Sequence, residues 1–311
     1  MWKYIGTKEC NDLLLSLNLF NCKDKKKYLK TIYSISNNIE NNYKIYKIKK
    51  HNGKFRTIHE PNLLLKHIQR QILNNILNNK SISKYATAYH KGISLKDNVI
   101  PHVNKRIILK LDIKDFFENI SFIDVYNTCF PIEYFPKSVG MILTYLCTYD
   151  DHLIQGAPTS AYISNLVMKD FDEEIGYWCE ENKISYTRYS DDMTFSGDFN
   201  PSEIIARVRK VLCKLGLELN NKKIHVVMNS SSQNVTGIIV NEKPQLSSKY
   251  RKKIRQEVYF IKKYGLKSHL QKRNINDTKK YLNSLYGKIL FVLQVNDDDD
   301  EFKNYKEFIK K

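Results

Sequence analysis

Nowhere in the 311 residues does an apolar run approach the ~18 that a bilayer-spanning helix needs, and the N-terminus MWKYIGTKEC carries no signal-peptide core. A membrane protein is therefore the weaker expectation. The six cysteines (Cys10, Cys22, Cys129, Cys147, Cys179, Cys213) include no C-x-x-C pair, which argues against a zinc site or a disulfide framework and for reduced thiols in the cytoplasm. No internal repeat is present. Acidic residues are in deficit, 33 against 51 Lys and Arg, for a net charge of +18. That imbalance predicts an anionic partner, nucleic acid or an acidic membrane surface, with nucleic acid favoured by the missing span. The 21 Tyr and 14 Phe suit base stacking, although most serve an ordinary core. The one low-complexity run, DDDDE at 297–301, reads as a solvated acidic linker before the last helical turn.

What is present reads as an α+β core between helical ends. Residues 1–40 carry helical spacing, with Asp24 placed to cap a segment bearing Tyr28, Leu29, Ile32 and Ile35. YKIYKIKKHNGKFRTIHEP alternates around Asn52-Gly53, a hairpin signal. Pro61 is read as opening a helix with Leu64, Leu65, Ile68, Ile72 and Ile76 on one face. RIILKLDI (106–113) reads as a buried central strand, followed by helices starting near Ser121 and Ser138. Residues 159–182 read as one long amphipathic helix with Ile163, Leu166, Phe171, Ile175 and Trp178 inward. A helix runs from Asn200-Pro201 to Gly216, strands lie near 223–228 and 235–240, and the remainder is helical and basic.

Two acidic clusters carry the chemistry. TRYSDDMTFSG (187–197) puts Asp191 and Asp192 inside an apolar, β-prone stretch, where a carboxylate costs several kcal/mol unless a cation meets it. Taken alone, the pair is equally well a hairpin tip or a metal site. Asp112, at the end of the 106–113 strand, taken alone is a strand-end turn or cap. Together, three carboxylates at the tips of adjacent strands can hold two magnesium ions ~3.5–4 Å apart, with manganese as a substitute; one activates a hydroxyl and the other steadies a leaving pyrophosphate. Magnesium accepts so sparse a ligand set because substrate phosphates complete it. Between the clusters, Gln155-Gly156-Ala157-Pro158-Thr159-Ser160 is a tight loop feeding a helix, either a plain capped loop or a place for backbone to approach a nucleotide.

The order D-x-x-x-F-F, QGAPTS, Y-x-D-D and GLELNNKKIHV resembles that of reverse transcriptases over roughly residues 40–240. The resemblance implies a right-hand polymerase: an N-terminal helical segment (1–40), fingers (41–105), a palm of antiparallel sheet with helices on one face (106–240), and a basic helical thumb (241–311), with the reverse transcriptase domain at about 25–240. DNVIPH (97–102) is similar to the N-A-x-x-H element of bacterial retron enzymes, with Val99 in place of alanine, and Val235-Thr236-Gly237 to their V-T-G element. Ala161 departs from the family's proline. The length, with no maturase or endonuclease extension, fits the same group. By this resemblance Asp112, Asp191 and Asp192 are the catalytic and metal-binding carboxylates, Asp192 acting more through charge. Phe117 would exclude a ribose 2′-OH, its other reading being a core phenylalanine. Lys223 would protonate pyrophosphate, its other reading being a surface lysine. Arg56, Gln155 and Gly156 would meet the dNTP. RNA would be held by Asn98, His102, Val235, Thr236 and Gly237, and by Lys249, Arg251, Lys252, Lys253 and Arg255 on a helix whose Tyr250, Ile254, Val258 and Ile261 face inward.

The implied activity is DNA synthesis on a cognate noncoding RNA of msr-msd type, primed from an RNA 2′-OH to give branched msDNA, in antiphage defence beside an effector protein. The alternatives are a group II intron-like or other defence-associated reverse transcriptase, an RNA polymerase, and a non-catalytic RNA-binding subunit on a polymerase scaffold. Intact Asp112, Asp191 and Asp192 weigh against the last.

Overall fold

The computed structural model describes residues 5–49, 53 and 55–310. Helices α1 (Thr7–Ser16) and α2 (Lys25–Asn37) open it. Asp24 caps α2 by accepting from the Lys26 and Lys27 amides, which would otherwise be orphaned in the first turn. Strands β1 (Tyr43–Lys49) and β2 (Phe55–Pro61) pair antiparallel; Asn52, expected at their turn, lies outside the described residues. Pro61 closes β2 opposite Tyr43 and does not open the helix. That role falls to Asn62, whose side chain accepts from the Leu65 amide and starts α3 (Leu63–Asn75). A short α4 (Leu95–Val99) precedes the central sheet.

The central sheet joins β3 (Ile107–Asp112), β4 (Ser185–Tyr189), β5 (Asp192–Gly197) and β6 (His225–Met228) in the order β4-β5-β3-β6, with every neighbouring pair antiparallel. Between β3 and β4 run α5 (Phe122–Cys129), α6 (Lys137–Cys147), α7 (Ser160–Val167) and α8 (Lys169–Glu181). The single helix expected over 159–182 is thus two. Met168, with ψ near 0°, breaks it, and the bend lets Ile163 and Leu166 on one side, Phe171 and Ile175 on the other, reach the same core. Trp178 is only half-buried, covered by the Arg207 guanidinium 4.5 Å from its ring.

After α9 (Pro201–Lys214), one 3-10 turn at Asn221–Lys223 delays β6 to His225. The strand expected at 235–240 is folded on itself as β7 (Asn234–Val235) and β8 (Ile238–Ile239), which with β9 (Gln245–Leu246) form a second small sheet. Helices α10 (Ser248–Tyr264), α11 (Leu266–Lys272), α12 (Thr278–Val295) and α13 (Asp300–Lys310) follow.

Strand periodicity explains the layering. Leu109, Leu111 and Ile113 point into one large core shared by α1, α2, α3 and α5 to α9. Ile108, on the opposite face, belongs to a second core with Val235, Ile238, Ile254, Val258, Leu285, Ile289 and Phe302. Lys110 and Asp112 share the Ile108 face by the same alternation. The acidic run at 297–301 is no free linker. Asp299 meets Arg251, Glu301 meets Arg255 through two 2.6 Å bonds, and Asp297 meets Lys96 at 3.0 Å. The run therefore fastens α13 onto α10.

Candidate active site

The β4–β5 connection is as short as a hairpin allows. Tyr189 pairs Asp192, leaving Ser190 and Asp191 as a two-residue loop. Ser190 sits in the left-handed region with φ 62°, the first-position requirement of a tight turn that matches strand twist. Asp192 lies directly across from Asp112 on β3, and opposed like charges are unfavourable in a sheet. The Asp191 carbonyl accepts from the Ile113 amide at 3.0 Å. Three carboxylates are thus gathered at adjacent strand ends.

The electrostatics follow from that crowding. Burial and the Asp112 charge push the Asp191 carboxyl above the usual range. Burial, Asp191 and Asp112 push Asp192 up to about 6, against Lys110 and Lys223. Asp192 is itself exposed, so water screens part of this repulsion. Asp112, buried, is held by Lys223 Nζ at 2.5 Å and Asn220 Nδ2 at 3.2 Å. Burial alone would lower the Lys223 ammonium, but the hydrogen bond and charge of Asp112, with Asp191 and Asp192 behind it, outweigh burial and raise its pKa.

These groups face a cleft of about 820 Å3 that also takes in Arg56, Phe117, Gln155 and Gly156. Phe116 is buried while the adjacent Phe117 is half-buried at the cleft wall, their rings 5.4 Å apart. Gly156 has φ +128°, and a Cβ there would lie 2.3 Å from the His59 carbonyl oxygen; only glycine allows that approach. The His59 amide donates in turn to the Gln155 carbonyl at 2.9 Å, so the 155–156 loop is laid against β2. Arg56 lies exposed on the same strand.

A divalent cation fits the donor chemistry, since a cation relieves the repulsion that raises Asp191 and Asp192 and hard carboxylate oxygens suit it. Among the described residues no three His, Cys, Asp or Glu side chains converge as a ready-made cage; Asp112 is turned onto Lys223 and Asn220. When bound, divalent ions supply charge neutralisation at the attacking and leaving oxygens of a phosphoryl transfer.

Other expected site residues lie elsewhere. Asn98 and His102, anticipated on RNA, are 1% and 0% exposed. Asn98 takes a hydrogen bond from Thr87 and gives one to Thr236, and His102 bridges Ser196 and Thr187 at 2.7 and 2.8 Å. Both brace the Asp191-Asp192 hairpin from behind. Val235 is buried in the second core, while Thr236 is half-buried and Gly237 exposed. Lys249, Lys252 and Lys253 are exposed on α10, but Arg251 and Arg255 are already neutralised by Asp299 and Glu301.

Tyr89, which no sequence motif marks, stands at the cleft with its hydroxyl 3.4 Å from Ser190. Equally unmarked is the fully buried pair Arg188 and Asp172, joined at 2.8 and 2.6 Å. The signal for the pair was there: Arg188 alternates with Thr187 to the face that Tyr186 buries, and a cation on that face needs a carboxylate.

A cleft carrying three carboxylates on the central strands of an antiparallel sheet, with strands β1 and β2 before it and a basic helical unit after it, defines a right-hand nucleotide polymerase. A family model described as "Reverse transcriptase (RNA-dependent DNA polymerase)" matches residues 48–240. The chain is 31% identical over 224 residues to "Retron Ec86 reverse transcriptase" of Escherichia coli, covering 70% of each, and 32% identical over 255 residues to "Retron Ec83 reverse transcriptase" of the same organism, covering 73% of this chain and 78% of that one. It is 29% identical over 282 residues to "Retron Mx65 reverse transcriptase" of Myxococcus xanthus, covering 83% of this chain and 62% of that one. The chain therefore belongs to the reverse transcriptases, RNA-directed DNA polymerases, and among them to the bacterial retron enzymes. No described helix is long and apolar enough to cross a membrane.

Proposed function

We propose that this polymerase copies a cognate noncoding RNA of msr-msd type, starts from a 2′-OH of that RNA to leave a branched RNA–DNA product (msDNA), and acts in the bacterial cytoplasm within an antiphage system that includes an effector protein. The observation that carries the catalytic part is the convergence of Asp112, Asp191 and Asp192 on one cleft. In this reading magnesium is the cofactor, two ions held by Asp112 and Asp191 with Asp192 adding charge, and manganese can replace it. Phe117 walls the sugar pocket, Gln155 and Gly156 line the base and sugar, and Arg56 meets the triphosphate from β2. Lys223, kept protonated by its acidic neighbours, is the proton source for departing pyrophosphate. Residues 1–40, 41–105, 106–240 and 241–311 serve as N-terminal segment, fingers, palm and thumb. Exposed Tyr259, Phe260 and Tyr264 among the lysines of α10 give the thumb stacking surfaces for RNA.

The test incubates the protein, with the RNA that co-purifies with it, in labelled dNTPs and Mg2+. DNA linked to RNA through a ribonuclease-resistant branch is the expected product. Asp112→Asn and Asp191→Asn should abolish it with RNA binding retained, because several kcal/mol of charge stabilisation is lost. Near-normal synthesis by either variant removes the metal assignment. Linear DNA without a branch removes the priming proposal and leaves the polymerase.

A further inference from the structure

Two non-glycine residues with left-handed backbone, Ser190 (φ 62°) and Thr236 (φ 47°), stand at opposite ends of one chain of hydrogen bonds. Thr236 is the odder. Val235 pairs Ile238, so Thr236 and Gly237 (φ 88°) form a two-residue turn with both φ positive. Asn-Gly fills such a turn without strain, whereas a β-branched residue at its first position is a true outlier. The residue present must do something that a relaxed one would not.

What Thr236 does is accept a hydrogen bond from Asn98 Nδ2 at 3.2 Å. The other end of the Asn98 amide accepts from the Thr87 hydroxyl at 2.7 Å. The Thr87 backbone amide donates to the Arg188 carbonyl at 2.9 Å, and the Arg188 amide donates to the Tyr85 carbonyl at 2.8 Å, which ties this residue of β4 to the 85–87 segment. The Arg188 guanidinium, whose Nε and Nη2 donate to Asp172, extends Nη1 to the Ser190 carbonyl at 2.9 Å. Ser190 immediately precedes Asp191. The chain thus runs from the β7–β8 turn, rooted in the core of the C-terminal helices by Val235 and Ile238, to the peptide that aims a catalytic carboxylate.

The geometry points to Thr236, Asn98 and Thr87 as positioning residues that hold the Ser190-Asp191 turn in its reactive pose from the thumb side. A strained backbone persists only where its surroundings over-determine it, and the strut supplies that at both ends. Removing the Thr236 hydroxyl leaves the buried Asn98 amide unpaired and frees the Thr87–Arg188 segment to shift.

The experiment uses the full chain with an RNA template annealed to a DNA primer, and reads single-nucleotide incorporation against dNTP concentration. Duplex affinity, thermal unfolding and amide hydrogen exchange at Asp191 and Asp192 are measured in parallel. Thr236→Val should lower kcat roughly tenfold, within the ~10²-fold that a misplacement of about 1 Å costs, while KM for dNTP and duplex affinity stay within about twofold. Thr236→Gly should lower kcat equally although it melts no lower than the parent, because the strain is relieved, and both variants should exchange faster at Asp191 and Asp192. Thr236→Ser, which keeps the hydroxyl, should restore kcat. Unchanged kcat in Thr236→Gly overturns the inference. So does lost duplex affinity with intact kcat, which would place Thr236 on nucleic acid, and so does a fall in kcat that merely tracks a lowered melting temperature in both variants.

Discussion

Replacing Arg188 by methionine isolates the charge pair beneath the Ser190-Asp191 turn. Both side chains are fully buried, so the substitution leaves Asp172 an uncompensated interior charge, a defect that costs about 3–5 kcal/mol. One neutral donor remains, the Tyr186 hydroxyl at 2.8 Å, which places the expected loss near the lower end, about 3 kcal/mol. Urea unfolding would read this as a lowered midpoint at unchanged slope. The variant Arg188→Met/Asp172→Leu/Tyr186→Phe removes both charges and the hydroxyl that would otherwise be stranded, and should return to within about 1 kcal/mol of the parent. Nucleotide incorporation should remain low in both, because each lacks the donor to the Ser190 carbonyl. Stability would then return without activity. The reasoning is refuted if the single variant unfolds within 1 kcal/mol of the parent, the size of a surface substitution, or if the apolar triple variant polymerises at the parental rate.

Three further outcomes are expected. Phe117→Ala should raise use of rNTP relative to dNTP, since the wall of the sugar pocket is removed while the carboxylates stay; an unchanged ratio in a variant that still polymerises would make Phe117 a packing residue only. Changing the exposed Lys249, Lys252 and Lys253 to glutamine should weaken RNA binding and flatten its salt dependence by about 0.7–0.9 in slope per lost phosphate contact, with little change in rate at saturating RNA; an identical slope would leave α10 a solvated face. His102, held by burial at about 3 in the folded state against an ordinary 6.5, takes up its proton only on unfolding, so its contribution is complete above pH 6.5 and drains away as pH falls from 6.5 toward 3. Unfolding free energy of the parent should therefore fall with acidification more steeply than that of His102→Gln, by up to about 1.4 kcal/mol per pH unit, and parallel pH profiles would contradict it.

The site was legible in the sequence because its constraint is local. Asp191 and Asp192 are adjacent in an apolar run, and Asp112 ends a strand whose β-rich pattern needs no tertiary knowledge to see. The brace was not legible, because Asn98, His102 and Thr87 declare themselves only through partners about 11 to 140 positions away; each alone reads as a loop polar residue. Long-range pairing also hid the role of the acidic run, where Asp299 and Glu301 find Arg251 and Arg255 only once α13 folds back on α10. The break at Met168 had no punctuation, neither glycine nor proline, since tertiary packing imposes it. Pro61 had the reverse problem, a strong local helix-start signal overruled by Asn62, which caps better one residue later.

Strand β3 is a party wall. Its Leu109 and Leu111 belong to one hydrophobic core and its Ile108 to the other, so neither core is closed unless the strand that ends in Asp112 is in place. The C-terminal helices cannot peel away without wetting the back of that strand. Melting of the two halves is therefore coupled through six residues, Ile107–Asp112. Damage at the Phe302 contacts of the last helix should therefore loosen the footing of the strand that ends in Asp112.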